Sequence, residues 1–259
     1  MSVVDHGDAP PEHRRHVRSF VVRAGRATER QRRALDSLWP RYGVEPPQRP
    51  APGFWREVFH SEGPLTLEVG FGMGQSLLEM AVREPHRCFV GIEVHPPGIG
   101  SLLAGIEARG LTNLRVLDGD AVALLERAFG PGELDRVQIF FPDPWPKKRH
   151  HKRRLIQPEF VTRLAQRVAA GGRLMLATDW EPYAQWMREV LDAAPEWRNL
   201  GDAEGFVPRP ESRPQTRFES RGERHGHRIR DLLYERMPAP HADAPNGVRA
   251  RADEAGESR

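Results

Sequence analysis

Cysteine occurs once in the 259 residues, at Cys88, so no internal disulfide can form and no cysteine-based zinc site exists. Lysine is almost missing as well: of 39 basic side chains only Lys147, Lys148 and Lys152 are lysine. No apolar run approaches the ~18–20 residues of a membrane-spanning helix. The opening stretch MSVVDHGDAPPEHRRH lacks the apolar centre of a secretory signal, so a cytoplasmic address is expected. No internal repeat is evident. What is present, 38% hydrophobic residues, suffices for one large α/β domain with short appendages.

The formal net charge is only +3, but the cations are gathered. Residues 14–33 carry eight arginines against one acid, Glu29, and the run KKRHHKRR (147–154) carries six cations and two histidines with no acid. Such basic faces point to a phosphate-bearing partner. All three lysines fall inside that second run. Lysine is a compact ammonium on a flexible stem whereas arginine is a planar fork, so the clustering argues that at least one of these positions needs the ammonium.

Residues 1–17 read as disordered, 18–50 as a basic arm that begins extended and turns helical around Ala34, Leu35 and Leu38, 51–236 as the main domain, and 237–259 as a disordered tail. Strands and helices alternate through the main domain: strands at 64–70, 88–94, 113–120, 136–143 and 173–179, with helices between and after them. The helix that starts at Pro158 is expected to run to Gly171–Gly172. The segment 213–236 reads as two strands around a turn at 221–223. Near-continuous apolar strands alternating with helices mean a parallel sheet covered on both faces, with ligands beyond the carboxyl ends of its strands. The chemistry-bearing residues fall at those ends.

After the first strand, LEVGFGMG (67–74) places Gly70, Gly72 and Gly74 in a turn where backbone can approach a ligand. The spacing is G-x-G-x-G, with Gln75 where a dinucleotide loop would carry its last glycine, and Glu68 ahead of the turn suits a cationic ligand better than a pyrophosphate. S-adenosylmethionine, with its sulfonium and ammonium, fits that description. Glu93, 23 residues after Gly70, can accept from ribose hydroxyls, a role common to nicotinamide and S-adenosylmethionine sites. Asp120 can take an adenine amino group or cap the helix that follows. In FPDPWPKKRHHKRR (141–154), Asp143 stands between two prolines, Trp145 can stack on a base, and the cations follow directly. A turn aspartate, a core tryptophan and a solvated basic loop are each ordinary; their conjunction at one strand end is not.

With RSFVVRAGR, EVGFGMG, GIEV, FPDPWPKKRHHKRR, ATDW and TRFE in this order, the chain resembles the bacterial tRNA (guanine-N7)-methyltransferase family over roughly residues 18–236. The resemblance implies a Rossmann-like class I methyltransferase fold: a mostly parallel seven-stranded sheet with helices on both faces. It implies methyl transfer from S-adenosylmethionine to guanine N7 in the variable loop of tRNA. By position, Glu68, Gly70, Gly72, Gly74, Glu93, Asp120 and Asp143 would meet the cofactor, with Asp143 also catalytic. Lys147, Asp179, Thr216, Arg217, Phe218 and Glu219 would meet the substrate, and Arg149, His150, His151, Lys152, Arg153 and Arg154 the RNA. Two departures from the family pattern, Met73 and Pro146, remove no functional group. A monomer or homodimer is expected, with no obligatory protein partner, no membrane and no metal, since His150–His151 and His225–His227 sit among arginines.

Competing readings are weaker. A nicotinamide oxidoreductase would need a G-x-G-x-x-G loop and a catalytic His, Tyr–Lys or Cys set. An RNA-binding module without turnover would not need acids at successive strand ends. An N6-adenine methyltransferase usually has Pro-Pro and an aromatic after its acid, and here one proline separates Asp143 from Trp145.

Overall fold

The computed structural model describes residue 19, residues 26–215, residue 219 and residues 228–238. The expected disordered ends, the extended start of the basic arm and the turn at 221–223 lie outside the described residues, apart from 19, 237 and 238.

Among the described residues, seven strands form one sheet: β1 Leu65–Val69, β2 Cys88–Glu93, β3 Leu114–Asp118, β4 Leu134–Phe140, β5 Val168–Thr178, β6 Trp197–Asn199 and β7 Arg230–Arg236. Their order is β3-β2-β1-β4-β5-β7-β6. Pairing is parallel from β3 through to β5, and β7 runs antiparallel to both β5 and β6. Leu65, Leu67 and Val69 turn to one core, and Phe89, Leu114 and Val116 to another. The first core is closed by α2 Phe54–Phe59, α5 Ala121–Ala128, α6 Pro158–Arg167 and α7 Glu181–Asp192; the second by α1 Glu29–Tyr42, α3 Gln75–Arg83 and α4 Pro96–Arg109. Burying both faces of short β-branched and leucine-rich strands is what drives the doubly covered arrangement. No helix among them is long and apolar enough to cross a membrane.

Several expected boundaries move; β3, expected to reach 120, ends at Asp118, which leaves Asp120 in the turn after it. β4 stops at Phe140, three residues before Asp143, because Phe141 takes a left-handed φ of 51° and Pro142 and Pro144 have no N–H to offer a ladder. The helix from Pro158 ends at Arg167, and the chain enters β5 at once. There Val168 pairs with Leu134 but the next partner of β4 is Arg173, and the surplus bulges around Gly171 at φ 79°. β7 pairs with β5 on one side and with Trp197–Asn199 on the other, while the earlier strand expected within 213–236 falls largely on 216–218 and 220–227, outside the described residues. Three residues are too few to show a period of two; the strand is held by the buried Trp197, whose Nε1 donates to the Val161 carbonyl at 3.3 Å.

From β1 the sheet grows one way to β2 and β3 and the other way to β4 and β5, so the order reverses between β1 and β4. The crevice above that reversal is where open α/β sheets bind ligands. Because β7 is antiparallel, its first residues also reach this edge: Arg230 pairs with Thr178 and Asp231 with Ala177.

Candidate active site at the carboxyl ends of the strands

The turn after β1 is built on backbone that only glycine adopts readily. Gly70, Gly72 and Gly74 have φ of 74°, 57° and 76°. The turn is also pressed against α4: a Cβ on Gly98 would fall 2.2 Å from the Gly72 carbonyl oxygen, and one on Gly74 would meet Leu102 at 2.7 Å. Glu93, at the end of β2, braces it. Its Oε2 accepts from the Gly72 N–H at 2.8 Å, while Oε1 accepts from the N–H groups of Val94 and His95 at 2.8 and 3.2 Å. A carboxylate has about four acceptor positions, so Glu93 can hold the turn and still accept from a ligand.

Glu68 points to the opposite face from Leu67 and Val69. It belongs to a buried polar stripe in which Thr66 and Glu68 of β1 pair in register with Arg136 and Gln138 of β4. Arg136 is engaged by Glu84 at 2.9 Å, and Thr66 accepts from Arg87 at 3.2 Å. Glu68 is 3% exposed, and its Oε2 is buried with no hydrogen-bond partner in the protein. Burial, against the pull of Arg136 and with a push from Glu93, raises its carboxyl from 4.5 to about 8.

Asp120 caps α5, its Oδ1 accepting from the Val122 N–H at 3.0 Å. It also lines a cavity of about 280 Å³ together with Ser19, Lys152, Arg153 and Arg154. A larger cavity, about 720 Å³, lies at the opposite, amino-terminal edge of the sheet around Trp55, Cys88 and Glu133, and gathers none of the candidate residues.

The loop after β4 carries a second left-handed residue, Trp145 at φ 45°. Its indole N–H donates to the Ser19 carbonyl at 3.2 Å, and the Arg153 guanidinium sits 5.0 Å from its ring centre. A 3-10 helix, Lys148–Arg153, follows. Asp143, Lys147, Lys148, Arg149, Lys152 and Arg153 are exposed, and His150 and His151 half-buried, so these side chains form a cationic rim beside the acid. Arg154 departs from the expected outward-facing role. It is 3% exposed, donates from Nε to the Pro144 carbonyl at 3.0 Å, and lies 4.9 Å from the Tyr183 ring centre and 5.5 Å from that of Trp186. The aromatic face available from α7 draws the guanidinium inward. Among the described residues no cluster of His, Cys, Asp or Glu could hold a metal ion.

Asp179 stands half-buried directly after β5. Glu219 is 2% exposed and faces a residue that sequence reasoning missed, Arg213. The fully buried Arg213 guanidinium donates to Glu219 at 2.7 and 3.0 Å and to Asp231 at 2.6 and 2.9 Å. Asp231 and Gly98 were missed too. Nothing local separates Arg213 from the other arginines, and Asp231 becomes relevant only because β7 runs backwards. Thr216, Arg217 and Phe218 lie outside the described residues.

A cationic nucleoside ligand fits this edge. Glu68 supplies an unsatisfied buried carboxyl, the glycine turn leaves open space above Gly70 and Gly72, Glu93 ends β2, and Asp120 follows β3 at the cap of α5.

A family model described as putative methyltransferase matches residues 62–232. The chain is similar to the tRNA (guanine-N(7)-)-methyltransferase of Pseudomonas putida, 52% identical over 231 residues, 89% of this chain and 95% of the relative. It is 49% identical to the protein of the same name from Pseudomonas aeruginosa over 236 residues, 91% of this chain and 95% of that one. Among solved structures, the 16S rRNA methyltransferase KamB matches with a TM-score of 0.50 at 18% identity, covering 74% of this chain and 96% of that chain, which is a likeness of fold.

Proposed function

Because the chain belongs to the tRNA (guanine-N7-)-methyltransferase family, we propose that Asp143 is the residue that orients the guanine whose N7 is methylated. The reaction is transfer of a methyl group from S-adenosylmethionine to N7 of a guanine in tRNA. The sheet is the class I methyltransferase sheet. When bound, S-adenosylmethionine supplies an activated methyl group on a sulfonium. Glu68, the turn at Gly70, Gly72 and Gly74, Glu93 and Asp120 hold it.

Guanine N7 has an exposed lone pair and no proton to lose, so the protein's task is placement and electrostatics, without a general base. The base turns cationic as N7 takes the methyl group, and a carboxylate fixed nearby stabilises charge that grows along the path. Asp143 accepts from the N1 and N2 hydrogens of guanine, a pair that adenine does not present, and Asp179 or Glu219 shares this task. Lys147 stands four residues on as a substrate contact, with the segment 216–219. Arg149, His150, His151, Lys152 and Arg153 meet the RNA backbone, by phosphate and shape more than by base edges. The family resemblance points to the variable loop as the target, a single copy of the chain carries the whole edge, and the cytoplasm is the address.

The observation that carries this reading is the position of Asp143. It follows β4 on one side of the strand-order reversal, across from the glycine turn on β1, and the cationic rim begins four residues later. The test is transfer of labelled methyl from S-adenosylmethionine to unmodified tRNA, followed by chemical cleavage at 7-methylguanosine. Cleavage in the variable loop that disappears with Asp143→Ala supports the assignment. Methyl transfer without such cleavage refutes guanine N7, and cleavage elsewhere in the tRNA refutes the variable loop.

A further inference from the structure

We propose that Arg213 is a positioning residue for the methyl-transfer reaction: it locks Glu219 and the loop bearing Asp143 into one rigid unit. The inference rests on the reading above, in which Glu219 faces the substrate.

The guanidinium uses all three nitrogens. Nε and one terminal nitrogen grip Asp231 at 2.6 and 2.9 Å, and both terminal nitrogens grip Glu219 at 2.7 and 3.0 Å. Two forked contacts from one planar group fix both carboxylates relative to each other, which a lysine ammonium cannot do. Asp231 in turn is fixed to the sheet, since it pairs in register with Ala177 of β5, and the Ala177 carbonyl accepts from the Phe141 N–H at 2.8 Å. The Arg213 guanidinium also lies 5.7 Å from the Phe140 ring centre and 6.0 Å from that of Phe141. Phe141 is the left-handed residue at which β4 gives way to the loop, two residues before Asp143. One buried side chain therefore touches the root of the Asp143 loop, the start of β7 and Glu219.

Stability alone is a poor reason for this arrangement. Buried ion triads can often be replaced by apolar groups of similar size without loss of stability. What an apolar replacement cannot supply is direction for Glu219, which on its other side borders a cavity of about 550 Å³ shared with Arg209, Arg228 and Arg230.

The test compares the full chain with Arg213→Lys, Asp231→Asn, Glu219→Gln and the double variant Arg213→Lys with Glu219→Gln. Each is measured for S-adenosylmethionine affinity by calorimetry, thermal midpoint, and kcat and KM on unmodified tRNA. The expected result is a fall of about tenfold or more in kcat/KM for tRNA with Arg213→Lys, and a smaller fall with Asp231→Asn. Cofactor affinity should stay within about twofold, and the double variant should be no worse than the poorer single one, because the two residues act as a unit. Additive losses in the double variant overturn the proposal. So does a joint loss of cofactor affinity and methylation in both Arg213→Lys and Asp231→Asn, which makes the triad a purely stabilising feature. A damaged Glu219→Gln beside an unaffected Arg213→Lys overturns the positioning role alone. An unaffected Glu219→Gln overturns it together with the placement of Glu219 at the substrate.

Discussion

Arg154 donates from Nε to the carbonyl oxygen of Pro144 at 3.0 Å, and this contact clamps the residue next to Asp143 from inside the protein. The clamp is seated on α7, between the rings of Tyr183 and Trp186. Arg154→Met is expected to lower kcat on tRNA about tenfold while leaving the salt dependence of tRNA binding unchanged. Arg153→Ala, at the exposed neighbour, should instead reduce the slope of log affinity against log salt by about 0.7–0.9. Binding titrations at several salt concentrations separate the two roles. A reduced slope with Arg154→Met would place that residue back on the RNA surface.

Asp143→Asn keeps size and one acceptor but removes the charge that opposes the growing cation on the base. Its kcat is expected to drop about 100-fold, the scale of removing one preorganised electrostatic contact. Affinity for S-adenosylmethionine should change by less than about threefold. Single-turnover methylation and calorimetry on the same sample check both halves. Equal losses in the two would make Asp143 a cofactor ligand.

Glu68 has a carboxyl raised from 4.5 to about 8 by burial, so the folded, unliganded protein favours its neutral form. The stability which that preference supplies is complete below pH 4.5 and is lost as pH rises towards 8. Glu68→Gln, which cannot ionise, should therefore be more stable than the parent at pH 8.5, by on the order of a few kcal/mol of unfolding free energy, and should unfold at a higher temperature. The gap should narrow towards pH 5. Cofactor binding should become weaker in this variant and release fewer protons at pH 7, read from binding heats in buffers of different ionisation enthalpy. A thermal gap that does not change with pH contradicts the assignment.

Gly98 lies in the first turn of α4 and never touches the ligand edge with a side chain. A methyl group there would sit 2.2 Å from the Gly72 carbonyl oxygen, and backbone cannot yield as a flexible side chain can. Gly98→Ala is expected to weaken S-adenosylmethionine binding by about tenfold or more by displacing the glycine turn. Gly53→Ala, away from the glycine turn and with open space around the Cβ although φ there is left-handed, should leave it unchanged. Calorimetry on the two variants decides it.

Local chemistry explains which parts of the sheet were readable. The strands around Leu67, Val90 and Val116 announced themselves by apolar runs between glycine and proline, and the turn at Gly70–Gly74 by spacing alone. β6 did not, because three residues carry no period. Asp143 was placed on a strand because apolar residues run up to Phe141; the left-handed φ of Phe141 ends the ladder earlier.

The sequence by itself determined the alternation of strands and helices from β1 to β5, the glycine turn, the acids at or just after successive strand ends and the position of the cationic run. All of these depend on neighbours within a few residues. Only the tertiary structure decided which charges face water. Arg154 and Arg153 are adjacent in the chain, yet one is buried under Pro144 and the other is exposed on the rim. Glu219 and Asp231 meet on Arg213 only because β7 enters the sheet antiparallel and brings its first residues to the carboxyl edge. Burial and ion pairing are set by what packs across space, and no window of sequence contains that information.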